Sequence, residues 1–304
     1  MKELYKRYRP SSLKRVVGNT ETVATLQNML TRGTLPHTIL LHGPSGCGKT
    51  TIGRILRKEL KCSDNDYKEM NCSDFRGIDT IRELSRNMTM APIGGDVRVF
   101  LLDEVHQMSK DAQNAALKIL EDTPKHVYFF LCTTDPQKLI ETVRKRATPL
   151  PVRLLTPEEA TALAKRVMEK EKITLTSDVL EELVEAAQGS ARTVLVLLDK
   201  LVNLEPGQQL AALKQKTEEE KESIELCRAL LKKEGWPRIT GILRGLQEQE
   251  PESIRWAVLG YARSVLLNKK DEQAYLVIRC FENHFYDSKH AGLIRACFEA
   301  VFGE

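Results

Sequence analysis

Residues 43 to 50 read Gly43-Pro44-Ser45-Gly46-Cys47-Gly48-Lys49-Thr50, the complete pattern G-x-x-x-x-G-K-[ST]. That pattern demands a strand, a tight loop and a helix, in that order. The apolar run Thr38-Ile39-Leu40-Leu41 stands before it as a buried strand, and Thr51 to Leu60 follows as a helix. The glycines let the backbone wrap a phosphate with its N–H groups, and the helix N-terminus adds partial positive charge. In this frame Lys49 reaches the β- and γ-phosphates of a nucleotide and Thr50 ligates Mg²⁺. Gly43 through Thr51 are therefore candidate nucleotide-binding residues.

A second element supplies the carboxylates such chemistry needs. Val97-Arg98-Val99-Phe100-Leu101-Leu102 reads as a buried strand that ends in Asp103-Glu104. A strand ending in two acids is often only a solvated strand end. Behind a phosphate loop, the first acid can hold Mg²⁺ through water and the second can orient or deprotonate the attacking water.

Up to residue 150 the chain alternates short strands with amphipathic helices. Strands are predicted at His37–Leu41, Tyr67–Met70, Val97–Leu102, Val127–Cys132 and Leu150–Val152. Helices are predicted at Glu21–Leu30, Thr50–Leu60, Gly77–Met88, Asp111–Glu121 and Gln137–Val143. Such βα alternation implies a parallel sheet covered on both faces. Thr156-Pro157-Glu158-Glu159 then starts a helix, with a Thr cap, Pro at the first helical position and Glu three residues after the cap. Only helical periodicity follows. A small bundle is expected over 156–205, a linker at Glu205-Pro206-Gly207-Gln208-Gln209, and four or five helices over 217–302. Lys214 to Glu222 is read as a solvated helix face.

The 304 residues hold 46 basic and 42 acidic side chains, a net charge of +4 that permits nucleic-acid contact without demanding it. No apolar run approaches the ~18 residues of a membrane span, and the first residues carry no apolar targeting segment. Seven cysteines, an odd number without a close C-x-x-C pair, point to reduced thiols inside a cell. Cys47, at a helix N-terminus, is a candidate for a depressed thiol pKa, although a small residue tolerated at a variable position is the simpler reading.

Together these motifs resemble the AAA+ ATPases, and within them the sliding-clamp loader subunits. Leu4-Tyr5-Lys6-Arg7-Tyr8-Arg9-Pro10-Ser11-Ser12 with Val16-Val17-Gly18 resembles the family's N-terminal adenine-pocket segment. Asn71-Cys72-Ser73-Asp74-Phe75-Arg76-Gly77-Ile78-Asp79 is similar to a stretch of replication factor C small subunits. Asp103 to Ser109 and Thr133 to Leu139 resemble the bacterial gamma/tau subunit.

The resemblance implies an α/β AAA+ domain over 1–155, a helical lid over 156–205 and an all-helical collar over 215–304. It implies that Tyr8, Arg9, Pro10, Val17 and Gly18 help bind ATP. Thr134 would be the first sensor, near the γ-phosphate, and Arg192 the second, lowered onto the phosphates by the lid. Arg146 matches the arginine finger that reaches a neighbour's site, though the family's Ser-Arg-Cys is here Lys145-Arg146-Ala147 and Arg144 competes for the role. Between phosphate loop and Asp-Glu strand the bacterial subunit carries a four-cysteine zinc module. Here only Cys62 and Cys72 lie there, so no zinc is expected.

Lys110, Asn114 and Lys118 share a helix face by their spacing, and Arg76, Arg82 and Arg86 are spaced to line another. In clamp loaders the corresponding helices face the central DNA, where phosphate contacts give affinity without sequence preference. Met88, Met90 and Ile93, beside Gly94-Gly95, fall where related loaders meet the clamp; they read either as an apolar plug for it or as side chains packed into this domain's own core.

The expected function is a DNA-stimulated ATPase subunit of a clamp loader, partnered by other loader subunits in a pentamer, by the clamp and by primer–template DNA. ATP binding opens the clamp and grips the DNA, and hydrolysis releases both. One rival is a branch-migration helicase, which would need a winged-helix domain after the lid. Another is a non-hydrolysing structural subunit, which Lys49, Thr50, Asp103 and Glu104 argue against.

Overall fold

The computed structural model describes residues 3–74, 78–285 and 288–303, with 78–80 and 214–221 described through their backbone alone. By compactness the chain forms two units, Met1–Pro206 and Gly207–Glu304.

The first unit is built on five parallel strands: β1 Thr38–His42, β2 Tyr67–Asn71, β3 Arg98–Asp103, β4 Val127–Thr133 and β5 Thr148–Pro151, in the order β2-β3-β4-β1-β5. β1, β3 and β4 are almost wholly buried, as their unbroken apolar runs require of strands covered on both faces. Alternate side chains serve opposite layers. Ile39, Leu41, Val99, Leu101 and Phe130 pack with Leu26 of α2 (Thr20–Arg32) and with Ile52, Ile55 and Leu56 of α3 (Lys49–Glu59). Leu40, Phe100, Leu102, Phe129 and Leu131 face the other way. There they meet Ile81 and Leu84 of α4 (Ile78–Met88) and Ala112, Ala116 and Ile119 of α5 (Lys110–Glu121). A short N-terminal helix, α1 (Leu4–Arg7), precedes this core.

Predicted and observed elements agree to within one to three residues, with one exception in this unit. The helix predicted over Gln137–Val143 is a 3₁₀ turn, Pro136–Lys138, followed by a separate helix α6, Glu141–Arg146. Leu139 and Ile140 between them are held in other contacts: Ile140 N–H donates to the buried Gln113 Oε1 at 2.9 Å. Three further helices complete the unit: α7 Pro157–Glu171, α8 Ser177–Ala187 and α9 Ala191–Val202. α7 starts on the expected capping box, Thr156 Oγ1 accepting from Glu159 N–H and Glu159 accepting from Thr156 N–H.

The second unit has five helices among its described residues: α10 Pro206–Leu231, α11 Trp236–Gly245, α12 Pro251–Asn268, α13 Glu272–Cys280 and α14 Lys289–Phe302. Their core holds Leu226, Leu230, Ile239, Val258, Val277, Phe281, Leu293 and Cys297. The expected linker at 205–209 is not a loop. Residues 206–209 open α10, because Pro206 suits a first helical turn and Gly207 in that turn weakens a long helix only slightly.

Candidate active site

The ends of β1 and β3 meet the start of α3 at the C-terminal edge of the sheet, where open parallel sheets bind ligands. Between β1 and α3 the loop turns through Gly46 and Gly48, at φ 75° and 107°, left-handed conformations that disfavour any side chain. Lys49 opens α3 and is buried at 5% exposure, its Nζ donating to the carbonyls of Gly43 and Pro44 at 2.8 Å each. Gly43 N–H donates in turn to Thr133 O at 3.2 Å, which ties the loop to β4.

The carboxylates converge on the same spot. Thr50 Oγ1 donates to Asp103 Oδ2 at 2.7 Å, and Asp103 Oδ1 accepts from Glu104 N–H at 3.1 Å. Glu104 adopts a left-handed backbone, φ 51° and ψ 44°, and so leaves the line of β3. Its Oε2 accepts from Thr134 Oγ1 at 3.3 Å and lies 3.2 Å from His106 Nδ1. A non-glycine residue in this conformation costs on the order of 1 kcal/mol and persists only where its surroundings demand it.

A cavity of about 460 Å³ opens over these groups. Ser45 through Thr51 form its floor with Asp103 and Glu104. The N-terminal segment contributes Tyr8, Arg9, Pro10 and Val17, and α9 contributes Arg192. The N-terminal segment is tied to α7 by Arg7 and Tyr8, which both bond Glu171. Gly18 is placed in support: a Cβ there would stand 2.8 Å from both Leu155 and Glu159. Gly43 and Pro44 act through their carbonyls on Lys49.

Sequence reasoning missed several lining residues, among them Arg15, Leu163, Arg166 and Leu195, while Tyr5 of the N-terminal segment also lines the cavity. The i, i+3 pairs Leu163/Arg166 on α7 and Arg192/Leu195 on α9 were the available signal. His106 was missed as well.

Burial followed by the Lys49 charge pushes the His42 imidazole pKa down. The Cys47 thiol is pushed up by burial, which outweighs Lys49, in line with the simpler reading of a small residue tolerated in the loop. Cys72, buried near Asp103 and Glu104, is raised to about 12.

The remaining candidates lie outside the cavity. Arg146 is ion-paired with Glu121 and donates to Thr142 O at 2.9 Å, while Arg144 bonds Gln137 Oε1 at 3.1 Å. Lys110, Asn114 and Lys118 are exposed along one face of α5, opposite Ala112 and Ala116. Arg82 and Arg86 are exposed on α4, and Arg76 lies outside the described residues.

Met88 is corrected as a plug residue. It is 6% exposed and packs with Leu84 and Ile81, which share its helix face. Met90 and Ile93 are 57% and 79% exposed. Their loop is braced from beneath. The buried Asp66 carboxylate accepts from the N–H groups of Ile93 and Gly94 at 2.8 Å, and Arg98 bridges Asp66 to Ala91 O at 3.1 Å each.

Among the described residues no helix is long and apolar enough to cross a membrane.

The family model for "DNA polymerase III, delta subunit" matches residues 74–156. DNA polymerase III subunit gamma/tau of Mycobacterium tuberculosis is 35% identical over 222 residues, covering 66% of this chain and 38% of the relative. Subunit tau of Escherichia coli is 31% identical over 280 residues, covering 84% and 43%. The chain thus spans about two fifths of the length of these relatives. Among solved structures, the RuvB Holliday junction branch migration motor of Thermotoga maritima superposes with a TM-score of 0.59 at 18% identity, over 74% of this chain and 79% of the motor. The chain is accordingly a homologue of bacterial clamp-loader gamma/tau subunits on an AAA+ fold, as its motifs suggested.

Proposed function

We propose that the chain is an ATP-hydrolysing subunit of a sliding-clamp loader. The convergence of Lys49, Thr50, Asp103 and Glu104 at one end of the sheet, under a cavity walled by Arg192, carries this reading. Thr50 Oγ1 and Asp103 Oδ2 are hard oxygen donors 2.7 Å apart, a pair that suits Mg²⁺. When bound, the ion offsets phosphate charge. Lys49 exchanges its two loop carbonyls for phosphate oxygens. Glu104, steadied by Thr134, orients the attacking water and takes its proton. Arg192 adds positive charge from α9, so the lid formed by α7–α9 responds to the nucleotide.

Arg146 acts in a neighbouring subunit's site, where that subunit's phosphates compete with Glu121 for the guanidinium. The second unit serves as the collar of a five-subunit assembly. α4 and α5 hold primer–template DNA, which stimulates hydrolysis, and the Met90–Ile93 loop meets the clamp. ATP binding opens the clamp and hydrolysis releases it. The RuvB-like rival shares the fold, but the described residues of 207–303 form helices and no strand. A purely structural subunit would have no use for the Thr50–Asp103–Glu104 arrangement.

ATP titration and turnover of two variants test the reading. Glu104→Gln should bind ATP and lose about 10²-fold or more in turnover. Lys49→Ala should lose binding itself. Normal turnover in Glu104→Gln would remove that residue from the chemistry.

A further inference from the structure

Directly after Glu104 the chain makes a single 3₁₀ turn, Val105–Gln107, and its middle residue is a histidine. The His106 side chain is only 7% exposed, and the hydrolysis chemistry does not use it. Its Nδ1 stands 3.2 Å from Glu104 Oε2 and 3.0 Å from Thr133 Oγ1. Its Nε2 is met at 3.0 Å by the amide nitrogen of Gln107. An amide nitrogen only donates, so Nε2 accepts and Nδ1 carries the proton, which Thr133 Oγ1 accepts with Glu104 Oε2 close beside it. Thr133 Oγ1 also accepts from Asp135 N–H at 3.0 Å, which anchors it at the end of β4. Thr134 Oγ1 reaches the same Glu104 Oε2. Thr134 Oγ1 is thus the hydrogen-bond donor to Oε2, the ring edge at Nδ1 stands 3.2 Å from the same oxygen, and Oε1 has no hydrogen-bond partner among the described residues.

We propose that His106 is a positioning residue for hydrolysis: anchored through Nδ1 to Thr133 Oγ1, the ring sets the partial positive charge of its Nδ1–H 3.2 Å from Glu104 Oε2, so that Oε1 is the oxygen offered to water. The proposal rests on reading Glu104 as the general base. It explains why a left-handed glutamate, with three side-chain torsions to order, keeps one orientation at the end of β3. It also makes the ring a mechanical link between β3 and β4, since Glu104 follows the first and Thr133 ends the second.

Substitutions can separate donor position from packing. Asn at 106 places an amide nitrogen near the Nδ1 position, Gln near the Nε2 position, and Leu fills the space without a donor. In steady-state assays of the chain in its assembly, His106→Leu should lower kcat about tenfold or more while KM for ATP stays within about twofold. His106→Asn should recover most of kcat and His106→Gln should not. On a Glu104→Gln background, His106→Leu should change nothing further, because the oriented group is already gone.

A spectroscopic arm needs no turnover. The ¹⁵N imidazole resonances of the wild-type chain, with those of His106 assigned by their loss in a variant, should show a proton on Nδ1. A ring protonated only at Nε2, equal activity of the Leu and Asn variants, or better rescue by Gln than by Asn would overturn the proposal. Normal turnover in Glu104→Gln would overturn the general-base reading instead, and the tautomer would still decide whether His106 holds this carboxylate.

Discussion

Gly46 lies where the phosphate loop touches the cap of α9, and replacing it with Ala tests whether loop and lid are mechanically joined. At Gly46, φ is +75° and a Cβ would stand 2.2 Å from Ser190 Oγ and 3.2 Å from Ser190 Cβ. Two costs follow. A left-handed Ala costs roughly 1–2 kcal/mol, reduced by about 0.4–1 because Ala also restricts the unfolded chain. Ser190 must also rotate away, and its Oγ then gives up the N–H of Thr193, a cap contact of 3.2 Å that contributes about 1 kcal/mol. Net destabilisation is about 2 kcal/mol, and at roughly 2–4 °C per kcal/mol for a unit of this size Tm should fall by roughly 4–8 °C.

Arg192 sits two residues beyond Ser190, so ATP affinity should fall as well. Adding Ser190→Gly removes the obstructing side chain and costs only a few tenths of a kcal/mol as a cap, so the double variant should regain about 1 kcal/mol. Thermal unfolding and titration with a fluorescent ATP analogue read both quantities. A Gly46→Ala protein that melts and binds ATP like wild type would refute the reasoning. So would a double variant no better than the single one.

Three other outcomes are expected. Burial pushes the Asp66 carboxyl up, but bonds from Ser63, Gly94, Ile93 and Arg98 outweigh it and hold it well below the usual carboxylate range. The stability it confers is therefore full above the unfolded value near pH ~4 and is lost as pH falls further. Acid unfolding should be shallower in Asp66→Asn, and Arg98→Met should cost about 3–5 kcal/mol at neutral pH by stranding a buried charge; identical acid slopes would contradict this. Lys110→Ala and Lys118→Ala should each weaken primed-DNA binding alike on all sequences and reduce the slope of log K against log salt by about one unit, whereas an unchanged slope makes them bystanders. Met90→Ser and Ile93→Ser should weaken clamp binding while changing stability by less than about 0.5 kcal/mol, and undiminished clamp binding would place that contact elsewhere.

Contiguous patterns carried most of what was legible in the sequence. The phosphate loop and the Asp103–Glu104 strand end each sit on one short segment, and their meeting follows from the C-terminal edge of a parallel sheet. The Thr156 capping box likewise marks the start of α7 by local chemistry alone. Met88 follows the core reading rather than the plug: with Ile81 and Leu84 it repeats at helical spacing, which places it in the core. The interruption at Leu139–Ile140 depended on Gln113, 27 residues away in sequence, and no local pattern announces it. Likewise, the link from His106 to Glu104 and Thr133 requires a left-handed backbone at a glutamate, which residue preference argues against. The cavity wall from α7 needed the tie between Tyr8 and Glu171, again a distant pair.

Transfer of a clamp onto primed circular DNA tests the central claim most directly. An assembly containing this chain, its partner subunits and the cognate clamp is given ATP, and clamps retained on the DNA are counted after a salt wash. The account predicts ATP-dependent retention with the wild-type chain, loss with Lys49→Ala, and clamp and loader trapped together on DNA with Glu104→Gln. Retention that is indifferent to Lys49, or ATP turnover at the Thr50–Asp103–Glu104 site with no clamp transferred, would contradict it.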